Sequence, residues 1–239
     1  TNGYNMTEGL IEAIIDCCTW SRISLDADGH KTYKRTHGMD EKAFSKVLEN
    51  ISRMTERKKI KKSNIVIGVT YLTGSKTIHG IYSASKIAKE LNVDYIRFRP
   101  FFNWGKNVLS YEEKEKMFLE LRAAKALETK TFSVSYPLDR CEQTTENNER
   151  RHQVCYVHHF STVITPDKKM YPCCMLADNE KYCLGDLDKI SFKDLWKSDV
   201  RKKAYQSIDL SECPNPCMLE NYNEFLWSLK DPVMHSNFI

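Results

Sequence analysis

"CYVHHFSTVITPDKKMYPCC", residues 155–174, is the stretch on which the reading of this chain turns. Residues 160–165 are β-branched and aromatic, Pro166-Asp167 turns the chain, and Met170-Tyr171 begins a return, which predicts a two-strand hairpin. Antiparallel strands bring their open ends together, so Cys155 before the hairpin and Cys173 after it converge on one point. Such a pair is a disulfide, part of a metal site, or small apolar filler.

The chain has nine cysteines, and seven of them fall between 141 and 217. It opens TNGYN, without a basic-then-apolar leader, so the expected location is cytoplasmic. There, clustered thiols more often bind metal or do redox work than form structural disulfides. Cys155 and Cys173 are separated by seventeen residues, Cys173 and Cys213 by thirty-nine, and Cys213 and Cys217 by three. Two pairs on tight local elements make a four-thiolate site, which zinc and iron–sulfur clusters both accept. Neither pair has the C-x2-C knuckle of a zinc ribbon, which favours the cluster. The competing reading is buried, unligated cysteine, and it applies first to Cys17, Cys18 and one of Cys173 and Cys174. Cys174 and Cys183 are the reserve ligands.

Upstream, apolar periodicity predicts helices over 6–18, 40–55, 81–91 and 111–127, and strands over 21–25, 65–72, 95–98 and 131–136. Alternating strands and helices argue for parallel βα units. Four strands are too few for a closed eight-stranded barrel, so residues 1–138 read as the later part of a βα barrel whose first units are absent. From 139 the composition changes. CEQTTENNERRHQVC (141–155) is a polar linker, followed by the hairpin, a turn at Gly185, a short helix at 192–196 capped by Ser191 and Asp194, and a C-terminal helix at 222–229. The fold class is therefore α/β, a partial TIM-type barrel followed by a small α+β domain at 139–239.

A hydrophobic share of 41% with 28% charged residues describes a globular chain, and no stretch approaches the ~20 apolar residues of a membrane span. A net charge of +4 is too weak to imply a nucleic-acid partner. The basic run RKKIKK at 57–62 reads as a solvated helix end, with RNA binding the weaker alternative because no aromatics interleave.

The hairpin, then "LGDLDKISFKDLWKS" (184–198), then a closing cysteine pair resembles the auxiliary-cluster region, SPASM or its shorter twitch form, of radical S-adenosylmethionine enzymes. Thr1-Asn2-Gly3 resembles the end of that family's third strand, "RISLDA" (22–27) its fourth and "YIRFRPF" (95–101) its sixth. The resemblance implies a reaction in which a reduced cluster cleaves S-adenosylmethionine and a 5′-deoxyadenosyl radical takes a hydrogen atom from the substrate. It implies an auxiliary [4Fe–4S] cluster on Cys155, Cys173, Cys213 and Cys217, with a second cluster and S-adenosylmethionine in the complete protein. It also implies an electron donor such as flavodoxin or ferredoxin, and a small-molecule, sugar or peptide substrate.

Barrel ligands gather at strand C-termini, which makes Asn2, Ser24, Asp26, Thr70 and Arg97 the candidate cofactor-binding residues. By resemblance, Ser24 meets the cofactor's ribose or amino-acid part, against a plain strand-end bond to backbone. Asp26 reads first as a cap for the turn at Asp28-Gly29. Arg97 and Arg99 share a strand face and would meet a carboxylate or phosphate, or form an ion pair. His158 and His159 read first as surface or packing residues, with cluster tuning or cavity lining as the alternative. The C-x3-C-x2-C loop and the GGE motif of the family are not in this sequence. Cys213 and Cys217 satisfy C-x3-C, but Glu220 stands where a third cysteine would be. The expectation is one auxiliary cluster, and no S-adenosylmethionine cleavage by residues 1–239 alone. Without its early strands the barrel is expected to expose apolar edges and aggregate. A zinc-stabilised, non-catalytic binding module is the competing function.

Overall fold

A computed structural model of the chain describes residues 1–100, 109–136, 150, 152–177, 179–213 and 217–232. It divides into two compact units, Thr1–Thr145 and Glu146–Ile239. The boundary expected at 138, Cys141 and the prolines flanking Asn215 lie outside the described residues.

The first unit is a parallel sheet in sequential order, β1 (Trp20–Ser24), β2 (Val66–Thr73), β3 (Tyr95–Pro100) and β4 (Ser133–Ser135). Each parallel step needs a crossover: α2 (His30–His37) and α3 (Glu41–Lys61) before β2, α4 (Ile81–Glu90) before β3, and α5 (Tyr111–Lys125) before β4. Helix α1 (Glu8–Cys17) precedes β1. Strand order that advances without reversal is the order within a βα barrel, whereas a doubly wound sheet doubles back at a switch point.

Period-two alternation puts Ile23, Ile67, Val69, Ile96, Phe98 and Val134 in the core with Val47, Ile51 and Ile81 from the helices. Side-chain caps set the helix starts. Thr7 accepts from the Leu10 N–H, Asp40 from Ala43, and Ser110 and Glu113 form a reciprocal capping box. On the opposite sheet face, registered pairs align polar residues toward the strands' C-terminal ends, Ser24 with Thr70, Thr70 with Arg97, and Arg97 with Ser135. Two residues lower, Tyr95 lies across Gly68, where a Cβ would stand 2.1 Å from the ring.

Two helices differ from expectation. HKTYKRTH forms α2 although only Tyr33 of it is buried, so it lacks the apolar stripe by which a helix is read. Helix α3 continues past 55 to Lys61 because its basic end is neutralised from outside. Arg53 pairs with Glu8, Arg57 with Glu12, and Lys61 with Glu12 and Asp16 of α1, while Lys58 lies 2.6 Å from Asp94. Three of the five cations in the run at 57–62 are thus paired with acids.

In the second unit, β5 (Val163–Ile164), β6 (Lys169–Tyr171) and β7 (Gly185–Asp186) form an antiparallel sheet over Met170, Leu184 and Leu195. The hairpin forms with Val163 opposite Tyr171 and Ile164 opposite Met170, but it is shorter than expected. Val157–His159 is a 3-10 turn and Phe160 is 73% exposed, so residues 160–162 are not strand. Lys168 takes the left-handed position (φ 62°) usual for glycine in this turn. Gly185 is not a turn but the start of a third strand, at φ +154° under Leu195. Helix α6 (Phe192–Lys197) starts at the Ser191 cap as expected, α7 (Asp199–Gln206) has no counterpart in the sequence reading, and α8 spans Glu220–Lys230. Among the described residues no helix is long and apolar enough to cross a membrane.

Candidate functional site

Cys155, Cys173, Cys213 and Cys217 line one cavity of about 20 Å³ in the second unit. Each arrives from a different anchor. Cys155 is held by Asn223 of α8, a residue 2% exposed. The Asn223 Oδ1 accepts the N–H groups of Tyr156 (2.7 Å) and Val157 (3.1 Å), and its Nδ2 donates to the Cys155 Sγ at 3.6 Å. Cys173 follows β6 by two residues, and the Thr162 hydroxyl closes the hairpin's open end on the Tyr171 carbonyl at 2.6 Å. Arg150 secures the Cys213 turn, donating to the carbonyls of Leu210 and Cys213. Cys217 ends just before α8 and accepts the Leu219 N–H at 3.4 Å.

Burial pushes the Cys213 and Cys217 thiols up to about 11, and raises Cys173 as well. The backbone N–H groups of Met175 and Leu176 act the other way on Cys173, because they favour its thiolate. Buried thiols that are costly to ionise alone, yet receive N–H donors, are suited to a site where bound cations supply the missing charge. Among the described residues, no three His, Cys, Asp or Glu side chains gather tightly enough to grip a single metal ion. A cluster asks for a wider array, since each thiolate then binds its own iron. The donor set fits such a group.

The remaining cysteines stand apart. Cys155 and Cys173 are free, which removes the disulfide reading, and Cys174 is exposed while Cys173 lines the cavity. Cys183 lies against the Gly185 carbonyl at 3.9 Å. Cys17 and Cys18 are exposed rather than buried filler, because α1 ends there and turns them to its outer side.

In the first unit, Ser24, Thr70 and Arg97 fall in the one row across the sheet described above. Ser24 is exposed and its N–H bonds the Thr1 carbonyl at 3.0 Å, which sets Asn2 just beyond the end of β1. The Asn2 Oδ1 accepts the Tyr4 N–H at 3.1 Å. Thr70 is buried and lies 3.5 Å from the Ile23 carbonyl. The buried Arg97 Nε has no partner among the described residues. Asp26 does not serve the turn at Asp28-Gly29. Its Oδ1 accepts the Leu72 N–H across the sheet at 2.8 Å, with the backbone at φ 46°. Burial raises its pKa, against the Leu72 bond and the charges of His37 and Arg99.

Asp26 also lines a cavity of about 310 Å³ with Arg35, Thr36, His37, Lys76 and Thr77. Sequence reading misses Arg35 and His37 because it misses α2. The available signal is their place in the segment that leads from the C-terminal end of β1 toward α3.

The model of the SPASM family, an iron–sulfur cluster-binding domain, matches residues 155–218. Among solved structures, the chain is similar to SuiB of Streptococcus suis, with a TM-score of 0.60 at 9% identity, covering 94% of this chain and 56% of that one. It is similar to SuiB bound to S-adenosylmethionine, at 0.58 and 9% over 87% and 49% of the two chains. It is also similar to an affinity-tagged anSMEcpe with bound AdoMet, at 0.54 and 16% over 100% and 71%. No curated protein matches the sequence. The chain spans about half the length of SuiB, and at these identities the likeness is one of fold. The four cysteines of the cavity thus fall within the residues that match the SPASM iron–sulfur cluster-binding model, and the chain shares its fold with SuiB and anSMEcpe.

Proposed function

We propose that the chain is part of an enzyme that removes a hydrogen atom from its substrate by way of S-adenosylmethionine. In this reading the second unit holds one auxiliary [4Fe–4S] cluster on Cys155, Cys173, Cys213 and Cys217. The observation that carries it is the convergence on one cavity of four thiols spread over sequence from 155 to 217. When bound there, the cluster supplies a one-electron acceptor or a site that positions substrate. The protein's part is to hold the thiolates. The Asn223 amide and the N–H groups of Leu219, Met175 and Leu176 stabilise charge on sulfur, and Pro172, Leu176, Leu210 and Leu219 keep water from the cavity.

In the first unit, the row of Ser24, Thr70 and Arg97 with Asn2 and Asp26 nearby offers hydroxyl, amide, carboxylate and guanidinium groups on the sheet face free of core packing. That mixture suits S-adenosylmethionine, whose own ribose hydroxyls, carboxylate and ammonium need both donors and acceptors, and Arg97 supplies the charge for a carboxylate or phosphate. The reading carries with it a second cluster in the complete protein, a flavodoxin- or ferredoxin-type electron donor, a small-molecule, sugar or peptide substrate, and a reducing, cytoplasmic setting.

Anaerobic reconstitution with iron and sulfide tests it. The expected product is brown and carries about four irons and four sulfides per chain. Stoichiometric zinc without sulfide would replace the reading with a zinc-stabilised module. Alanine at Cys155, Cys173, Cys213 or Cys217 is expected to abolish the cluster one site at a time, while Cys17→Ser, Cys18→Ser and Cys174→Ser retain full iron. Full iron in the Cys213→Ala variant would overturn the ligand assignment.

A further inference from the structure

His158 stands out in the second unit because it is 1% exposed and neither ring nitrogen has a hydrogen-bond partner among the described residues. An imidazole carries at least one N–H in every protonation state, so a donor is buried here with nothing to receive it. Native interiors rarely leave such a group unmatched, and an unmatched one points to a partner that the protein chain does not itself provide. His158 borders two cavities, and the one that gathers sulfur ligands is where the chemistry offers an acceptor. His158 lines the same cavity as Cys155, Cys173, Cys213 and Cys217. Its ring also packs at a tilt against Tyr205 at 3.9 Å and His159 at 4.6 Å between centroids. Arg201 fixes the backbone beneath it, donating through Nη2 to the carbonyls of His158 (3.0 Å) and His159 (3.2 Å). Arg201 is in turn stacked over Trp196 at 3.4 Å. The donor is therefore both unmatched and immobilised.

We propose that His158 donates a hydrogen bond to a sulfur of the iron–sulfur cluster held in this cavity and thereby sets how readily that cluster accepts an electron. The proposal rests on the cluster reading above and adds to it a residue outside the four cysteines. Hydrogen bonds to cluster or thiolate sulfur stabilise the reduced, more negative form, so this bond raises the reduction potential.

Two measurements on the reconstituted chain decide it. In wild type labelled with ¹⁵N-histidine, the reduced cluster is expected to couple weakly to one imidazole nitrogen and to one proton that exchanges in ²H₂O. A strong nitrogen coupling would make His158 a ligand, and no coupling at all would leave it a packing residue; either result overturns the proposal. The second measurement is the midpoint potential. His158→Phe keeps the ring and removes the donor, and is expected to bind full iron and sulfide at a potential more negative than wild type. His158→Gln restores an N–H of similar reach and is expected to recover part of the shift. Full iron with an unchanged potential in His158→Phe would overturn the proposal. Should that variant not load, the labelled wild type decides alone. Iron and sulfide content is read separately throughout, so a wild-type chain that binds no cluster falsifies the cluster reading itself and is told apart from a cluster that ignores His158.

Discussion

Asn223 does for the Cys155 loop what no backbone element does. Its one carboxamide takes two N–H groups from consecutive residues and gives one bond to sulfur. Replacing it with leucine keeps the volume but strands two donors. A buried, unsatisfied donor costs about 1–3 kcal/mol, and Val157 and Tyr156 would both lose their acceptor. Asn223→Leu is expected to lower the melting temperature of the reconstituted chain by several degrees and to release iron faster to a chelator. A melting curve and iron off-rate equal to wild type would show that the carboxamide is dispensable. This residue is invisible in the sequence for a physical reason. A lone asparagine on a C-terminal helix carries no periodic or spacing signal, and its meaning comes only from a contact to residues 66 and 67 positions away. The cysteines are legible because thiols at local spacings around a hairpin have few uses in one place. The choice of Cys173 over Cys174 is open in sequence, since adjacent side chains point in opposite directions and either orientation is allowed.

At the scale of elements, the edge strand β7 carries a steric constraint of its own. Gly185 enters β7 at φ +154°, and a Cβ there would stand 3.0 Å and 3.1 Å from the two methyl carbons of Leu195. Gly185→Ala is expected to destabilise the second unit by about 1–3 kcal/mol, because both the backbone region and the space favour glycine. Urea unfolding measures it, and a midpoint within error of wild type would contradict the strand placement. In sequence this glycine reads as a turn, since a two-residue strand offers no alternation to detect. Helix α2 escapes detection for the opposite reason, a real helix with one buried residue. The long β2 is legible because it is buried along nearly its whole length, and β3 because its buried residues alternate. Asp26, just past β1, makes a pH-dependent case. Burial raises its folded pKa above the unfolded one, so the fold prefers the neutral acid. The associated stability is present below the unfolded pKa and is lost as pH rises through the folded value. Asp26→Asn keeps an oxygen for the Leu72 N–H and never ionises. It is expected to melt higher than wild type at neutral pH, with the gain shrinking to nothing below about pH 3.9. A gain that persists unchanged in acid would trace to something other than the buried charge.

At the scale of the whole chain, the two units pose different chemical questions. The parallel units from β1 to β4 run in barrel order and align polar residues toward the strands' C-terminal ends, while the second unit gathers four thiols around one cavity. Reductive cleavage of S-adenosylmethionine needs an iron with an open coordination position, which three cysteines leave and four do not. The cysteines of the cavity number four, and C-x3-C-x2-C occurs nowhere in residues 1–239. Under the proposed function, a cluster held by all four cysteines would leave no iron open to the sulfonium. Residues 1–239, reconstituted and reduced without oxygen, are therefore expected to carry a redox-active cluster and yet to form no 5′-deoxyadenosine from S-adenosylmethionine. Chromatography of the quenched reaction reads this directly, with the cluster's reduction followed in the same sample by its loss of colour. Colour loss without 5′-deoxyadenosine fits a closed auxiliary site. 5′-Deoxyadenosine in amounts that scale with the chain would mean that one of the four cysteines is not a ligand, and the Cys155, Cys173, Cys213 and Cys217 alanine variants would then identify which one leaves iron open.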